Sequence, residues 1–202
     1  MSTYFITGIS TNIGKTIASA IVTEALQADY WKPVQAGELD NCDTKKVERL
    51  VSNTKSKFHP NSYALQTPMS PHAAAEIDNI SIDIKKIKAP KTNNHLVIEG
   101  AGGLFVPLND TQTIFDLIKP NYKVIVVSRH YLGSINHTIL SIDALKNRGI
   151  KVLGIIFNGN ENAETESYIL NYSGLPCLGR VKQHSEINKE MVLSYKEQFK
   201  IK

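Results

Sequence analysis

Thr7-Gly8-Ile9-Ser10-Thr11-Asn12-Ile13-Gly14-Lys15-Thr16-Ile17 lies between a short β-branched and aromatic run, Tyr4-Phe5-Ile6, and a segment whose apolar residues recur at helical spacing. Strand, glycine-bounded loop, Gly-Lys-Thr and helix is the order of a phosphate-binding loop. The residue types suit that task. Successive backbone N–H groups and the positive end of a helix dipole wrap a polyphosphate. Lys15 would neutralise the β- and γ-phosphates, and the Thr16 hydroxyl would hold Mg²⁺. Five residues rather than four separate Gly8 from Gly14, one more than the strict Walker A pattern.

Working outward, Ile17, Ala18, Ile21, Val22, Ala25 and Leu26 predict a helix to about Gln27. Tyr30-Trp31-Lys32-Pro33-Val34 reads as one brief strand, with Pro33 where it exits a sheet. A polar loop follows from Gln35 to Asn41, then a helix over Val47, Leu50 and Val51 that Asp43 would cap. Residues 52–67 are polar and aperiodic and read mainly as loop. Pro71 to Glu76 reads as a short helix entered through proline, and Ile80 to Ile87 as another. His95–Glu99, Val124–Val127 and Val152–Phe157 are continuous apolar strands. Between and after them come helices at Ile135–Asn147, stopped by Gly149, and near Glu164–Tyr172. A short strand near Cys177–Val181 and a terminal helix complete the chain. Apolar strands alternating with helices indicate an α/β fold, P-loop NTPase-like, with a mostly parallel central sheet and helices on both faces. Residues 1–202 read as a single P-loop α/β domain, without repeat or linker.

Composition narrows the function. The chain has 202 residues, 42% hydrophobic and 21% charged, with a net charge of +4 that is not gathered into a basic block. Anionic small molecules fit this balance; nucleic acid does not. Cys42 and Cys177 lack metal-ligand spacing and read as free thiols of a reducing compartment. No apolar run has the length of a membrane span and no leader-like segment opens the chain, so a cytoplasmic protein with no membrane partner is expected.

Ligands of open parallel sheets bind at the carboxyl ends of the strands. Glu99 ends its strand as a Walker B acid would, and could equally be a solvated carboxylate. The Gly100-Ala101-Gly102-Gly103 run after it favours close ligand approach. Asp43 is a second metal carboxylate or only a helix cap. Lys32, between Trp31 and Pro33 at a strand end, could point into the phosphate site and stabilise charge developing in phosphoryl transfer. His72 and His137 have no spacing that raises them above surface or capping histidines. Asn158 is either a base-reading amide or a turn residue before Gly159.

Taken together, the chain resembles the dethiobiotin synthetase family. The resemblance is carried by Gly8–Thr16 with its extra residue, Lys32-Pro33-Val34, Ser70-Pro71-His72, Glu99-Gly100-Ala101-Gly102-Gly103, Leu132-Gly133-Ser134-Ile135-Asn136-His137 and Asn158. These occur in family order and span the chain to about Val181. The resemblance implies ATP-dependent closure of a ureido ring from 7,8-diaminononanoate and CO₂ or bicarbonate, releasing dethiobiotin, ADP and phosphate. A substrate amine captures CO₂ as a carbamate, which attacks the γ-phosphate to give a carbamic-phosphoric anhydride. The second amine then displaces phosphate.

The same resemblance implies the site. Lys15 and Lys32 would be catalytic. Thr16, Asp43 and Glu99 would form the Mg²⁺ shell. Asn12, Ile13, Gly14, Lys15, Thr16 and Ile17 would cradle phosphates, with Gly100, Ala101 and Gly102 alongside, while Asn158, Gly159, Val181 and Lys182 would meet the adenine end. Thr11, Lys32, Ala36, Gly133, Ser134, Asn136 and Tyr168 would bind substrate. In the family the Gly133–Asn136 segment comes from a neighbouring subunit, which implies a homodimer with composite sites. Three departures stand out: Ala36 replaces the usual Ser or Thr, Arg180-Val181-Lys182 lacks the usual proline, and the approaches to Lys32 and His95 are short. A partitioning ATPase would carry a second lysine within Ile9-Ser10-Thr11, and a GTP switch an Asn-Lys-x-Asp signature at Asn158; neither is present. A cobyrinate-type amidating ligase and a catalytically dead binding module are the remaining alternatives.

Overall fold

The computed structural model describes residues 1–201. Along the chain run β1 (Thr3–Gly8), α1 (Lys15–Leu26), β2 (Asp29–Trp31), β3 (Val34–Ala36), α2 (Asp43–Leu50), β4 (Phe58–His59), β5 (Tyr63–Leu65), α3 (Pro71–Ile77), β6 (Leu96–Glu99), β7 (Lys123–Arg129), α4 (Ser134–Asn147), β8 (Val152–Asn158), α5 (Ala163–Ser173), β9 (Cys177–Val181) and α6 (Lys189–Ser194). Seven strands pair in the order β4-β2-β6-β1-β7-β8-β9, every pairing parallel. The apolar runs predicted as central strands lie in its middle: Phe5, Ile6, Val97, Val124 to Val127 and Ile155 to Phe157 are all 0% exposed. Strands covered on both faces need no polar alternation, which is why these segments read as unbroken apolar runs.

The order reverses direction at β1. From β1 the chain crosses through α1 to β2 on one side; from β7 it steps through α4 to β8 and through α5 to β9 on the other. Right-handed crossovers in opposite directions put α1 and the α4–α5 pair on opposite faces. They also open a crevice at the carboxyl end of β1, where ligands bind in such sheets.

Three expectations are corrected. The predicted strand Tyr30–Val34 is split, because Pro33 carries no N–H for the ladder and turns the chain out of the main sheet. The Pro33 carbonyl takes the N–H groups of Ser62 and Tyr63 at 2.8 and 3.1 Å, and β3 pairs with β5 in a separate two-stranded sheet. Residues 52–67, expected mainly as loop, therefore contain β4 and β5, of two and three residues, too short to leave a periodic signal. The expected helix Ile80–Ile87 is only a 3₁₀ turn, Ile84–Lys86. There the Asp83 side chain accepts the Lys85 N–H and the Asp83 N–H donates to the Tyr63 hydroxyl at 3.0 Å, so local side-chain bonds displace the helical ones. Among the described residues no helix is long and apolar enough to cross a membrane.

Candidate active site

The loop between β1 and α1 has the conformation its glycines permit. Gly14 is the N-cap of α1 at φ +93°, and Asn12 also has positive φ, +53°. A Cβ on Gly14 would lie 2.2 Å from Asn158 Nδ2, so the position is closed to side chains by both backbone and neighbour. Asn158, the last residue of β8, donates Nδ2 to the Ile13 carbonyl at 2.8 Å, and Arg129, the last of β7, donates Nη1 to the Asn12 carbonyl at 3.3 Å. Adjacent strand ends thus brace the loop.

Lys15 opens α1 and is buried, with its ammonium folded back to donate to the Ser10 carbonyl at 2.9 Å. Burial lowers its pKa to about 8; Lys32 adds to this, while Glu99 and Asp43 oppose it. Lys32, just past β2, is 6% exposed and donates to Glu99 Oε1 at 3.3 Å and to Asp43 Oδ2. Burial works against its charge, but the two carboxylates outweigh burial and hold the ammonium above its ordinary pKa. Asp43 is pulled the other way: burial disfavours its ionisation, and Lys32 more than compensates, keeping the carboxyl below its usual range. Thr16 Oγ1 donates to Glu99 Oε1 at 3.0 Å. Asp43 is not the helix cap expected of it: Cys42 takes the N-cap position, and Asp43, first residue of α2, turns its carboxylate to Lys32.

Two residues that the sequence reading missed complete this cluster. Tyr30 is fully buried and donates its hydroxyl to Glu99 Oε2 at 2.8 Å. Burial, then the charges of Glu99 and Asp43, push that phenol well above its ordinary pKa, so it stays a donor. Gln35 accepts the Asp43 N–H at 3.3 Å and donates to the Gly37 carbonyl at 3.0 Å, fixing the entry to α2. A signal for Tyr30 existed: residues two apart in an extended segment share a face, so Tyr30 accompanies Lys32. For Gln35 the signal was a polar side chain enclosed between Val34 and Ala36.

A cavity of about 1460 Å³ opens over the cluster. Thr11, Asn12, Gly14, Lys15, Thr16, Ile17, Lys32, Ala36, Asp43, Glu99, Ala101 and Gly102 line it, gathered from distant parts of the sequence. Others expected at the site stand outside this lining. Ile13 is buried beneath the loop and Gly100 packs on Phe5. Asn158 borders the loop from the end of β8, and the N–H of Gly159 after it donates to the Val181 carbonyl at 2.8 Å, with Lys182 exposed beyond. Gly133 and Asn136 are exposed at the start of α4, where Ser134 is buried, and Tyr168 is exposed on α5. Asp43, Glu99 and the Thr16 hydroxyl form an all-oxygen set of two carboxylates and one alcohol. That set fits Mg²⁺, which binds through one or two carboxylates and keeps waters and phosphate oxygens for its remaining positions.

A family model described as "AAA domain" matches residues 2–191. The ATP-dependent dethiobiotin synthetase BioD of Christiangramia forsetii is 58% identical, over 98% of this chain and 95% of the relative. The protein of the same name from Cytophaga hutchinsonii is 51% identical over 96% and 95%, and that of Chlamydia pneumoniae 42% identical over 99% and 90%. Among solved structures, the cell division ATPase MinD of Pyrococcus furiosus superposes with a TM-score of 0.56 at 15% identity, covering 96% of this chain and 88% of MinD. A ParA family ATPase from Chlorobium tepidum gives 0.54 at 13% identity over 96% and 89%. These two share the P-loop NTPase-like fold. The sequence matches, at high identity over nearly the full length of each partner, decide the family: this chain belongs to the dethiobiotin synthetases.

Proposed function

We propose that the protein closes the ureido ring of dethiobiotin, using ATP, CO₂ or bicarbonate and 7,8-diaminononanoate. The observation that carries this is the ion cluster under the phosphate loop: two buried lysines, Lys15 and Lys32, against two carboxylates, Asp43 and Glu99. A carbamate in line with a γ-phosphate brings together two anionic groups, and their approach needs fixed cations that no solvent molecule can replace.

In this reading one substrate amine adds to CO₂ and loses a proton to give a carbamate. A carbamate oxygen attacks the γ-phosphorus, the bond to the β-phosphate oxygen breaks, and ADP leaves. The second amine attacks the carbamoyl carbon of the mixed anhydride and loses a proton, and phosphate departs with the C–O electron pair. Lys15 swings from the Ser10 carbonyl to the β- and γ-phosphates. Lys32 stands between the phosphoryl group and the carbamate and neutralises both. Gly14 to Ile17 present the N-terminal N–H groups of α1 to the phosphates. Thr16, Asp43 and Glu99 hold Mg²⁺, which neutralises phosphate charge when bound. Asn158, Gly159, Val181 and Lys182 face the adenine, and Gly100 to Gly102 flank the nucleotide. Thr11 and Ala36 border the diamine. Ala36 offers it no hydroxyl, a difference of about 1 kcal/mol if water takes the place of that hydrogen bond. Gly133, Ser134 and Asn136 of a second subunit, with Tyr168, receive the substrate's carboxylate and tail, so the working unit is a homodimer in the cytoplasm, each chain one catalytic domain.

The test is incubation with diaminononanoate, bicarbonate and MgATP, followed by mass. Dethiobiotin formed in step with ADP is expected. ATP hydrolysis without dethiobiotin, together with amidation of another acid, overturns the reading.

A further inference from the structure

Glu166 of α5 is a carboxylate with 6% exposure that the reaction does not use. It is bound from three directions. Arg180 on β9 grips it with both guanidinium nitrogens, Nη1 to Oε1 at 2.6 Å and Nη2 to Oε2. His130, directly after β7, meets Oε1 through Nε2 at 2.7 Å. The backbone N–H of Asn162, at the far end of the loop that follows β8, donates to Oε1 at 3.2 Å. A single side chain on a helix therefore ties together the carboxyl ends of β7, β8 and β9. Burial opposes its ionisation, but the Arg180, His130 and Asn162 hydrogen bonds outweigh burial and keep the carboxyl below its usual pKa.

Each attachment point borders a ligand-facing element. Asn162 closes the loop that Asn158 and Gly159 begin. Arg180 precedes Val181, whose carbonyl receives the Gly159 N–H. His130 follows Arg129, which holds the phosphate loop at Asn12, and leads within four residues to Ser134 at the start of α4. The His130 ring also stacks on Phe157, the neighbour of Asn158, at 5.6 Å between centroids and 24° between planes. A bidentate arginine–carboxylate pair resists both sliding and rotation, which a lone hydrogen bond does not.

We propose that Glu166 is a positioning residue of the nucleotide site. It registers the 158–162 loop and the Val181 strand end, where adenine is read, against the start of α4, where the substrate's carboxylate is received. The inference rests on the functional reading above. Glu166 touches no reactant and acts through Asn158, Val181 and the 130–134 turn.

Inorganic tripolyphosphate engages the phosphate loop but has no base, so it separates registration of the base from general damage. In calorimetry of the full chain with Mg²⁺, Glu166→Gln is expected to weaken ATP about tenfold and leave tripolyphosphate unchanged. Equal weakening of both ligands, or of neither, overturns the proposal. Asn158→Ala loses both the base contact and the bond to the Ile13 carbonyl; as the control for the underlying reading it is expected to weaken ATP more than tripolyphosphate. If it weakens ATP no more than tripolyphosphate, the base site itself is misplaced and the proposal falls with it. If Asn158→Ala weakens ATP and Glu166→Gln does not, the proposal alone fails. Should Glu166→Gln not fold, Arg180→Lys keeps the charge and loses the fork. It must show the same ATP-only weakening, and unchanged ATP affinity there is equally fatal.

Discussion

Lys32 is held by Asp43 and Glu99, and Glu99 is in turn held by Tyr30; the order of those contacts sets what each substitution does. Tyr30→Phe keeps the ring in its fully buried place and removes the one donor to Glu99 Oε2. A buried carboxylate oxygen left without its partner costs about 1–3 kcal/mol of stability. The freed carboxylate can also rotate away from Thr16 and Lys32. A chemical denaturation curve should show that loss, and the Mg²⁺ concentration for half-maximal turnover should rise several-fold; an unaltered Mg²⁺ dependence removes Tyr30 from its anchoring role. Lys15 gives a pH prediction. Its folded-state pKa of about 8 lies below the ordinary lysine value of 10.5. Below pH 8 both folded and unfolded chains hold the proton, and the fold bears the cost of burying it. Between about 8 and 10.5 only the unfolded chain holds it, so this residue's contribution to stability improves as pH rises through that window. ATP binding runs the opposite way, since the polyphosphate needs the ammonium. Affinity should fall by up to about tenfold per pH unit above 8, with proton uptake on binding measurable by calorimetry in two buffers. Lys15→Arg, always charged, should flatten that limb. An identical limb in Lys15→Arg would assign it to another group. At this scale the sequence was most legible for residues whose chemistry needs their type at a fixed spacing, such as Gly14, Lys15 and Thr16. It was least legible for Tyr30, Gln35 and Glu166, which act through other side chains brought near only by folding.

The elements divide in the same way. Long apolar strands and the helices α1, α4 and α5 carry their own periodicity, and each lies within a residue or two of its expected bounds. What escaped has a physical cause in each case. β4 and β5 exist because Tyr30, Trp31 and Val34 to Ala36 offer partners to them, a contact between segments distant in sequence. The segment 80–87 looked helical by its isoleucines, but one buried isoleucine, Ile82, and a tyrosine hydroxyl fix it as turn. The joint of β1 and α1 is where element and ligand meet, and it makes the sharpest element-scale prediction. Gly14→Ala forces a positive φ on a residue with a Cβ, at about 1–2 kcal/mol, and drives that Cβ into the Asn158 amide. Asn158 must leave the Ile13 carbonyl, so loop and β8 separate. ATP and tripolyphosphate affinity should fall together, unlike the ATP-only loss expected for Glu166→Gln. A Gly14→Ala protein with full tripolyphosphate affinity would show that the loop reaches its binding shape by another route.

For the molecule as a whole, α4 walls one side of the cavity over the ion cluster through His137, Leu140 and Ala144, and large apolar side chains stand exposed around it. Leu132 is 103% exposed, Phe105 63% and Leu140 58%. Gly133 and Asn136, assigned to the substrate's carboxylate, lie on the same exposed stretch rather than in the lining of their own chain's cavity. A homodimer in which each α4 start reaches into the other chain's cavity accounts for both facts, since a two-fold pairing supplies the same patch twice. It predicts complementation. Lys15→Ala disables the phosphate loop, and Asn136→Ala disables the segment donated to the partner. In a heterodimer of the two, one site receives both defects and the other receives neither. Random exchange makes half of the dimers mixed, so about one quarter of wild-type activity should return to two nearly inactive preparations. If each chain carried a whole site, both sites of the mixed dimer would be defective and nothing would return. Subunit exchange must be followed independently, by mass of differently tagged chains, so that a missing recovery is read as separate sites and not as dimers that never mixed. Recovery near one quarter with exchange complete assigns the α4 start to the neighbouring site; none with exchange complete returns it to its own.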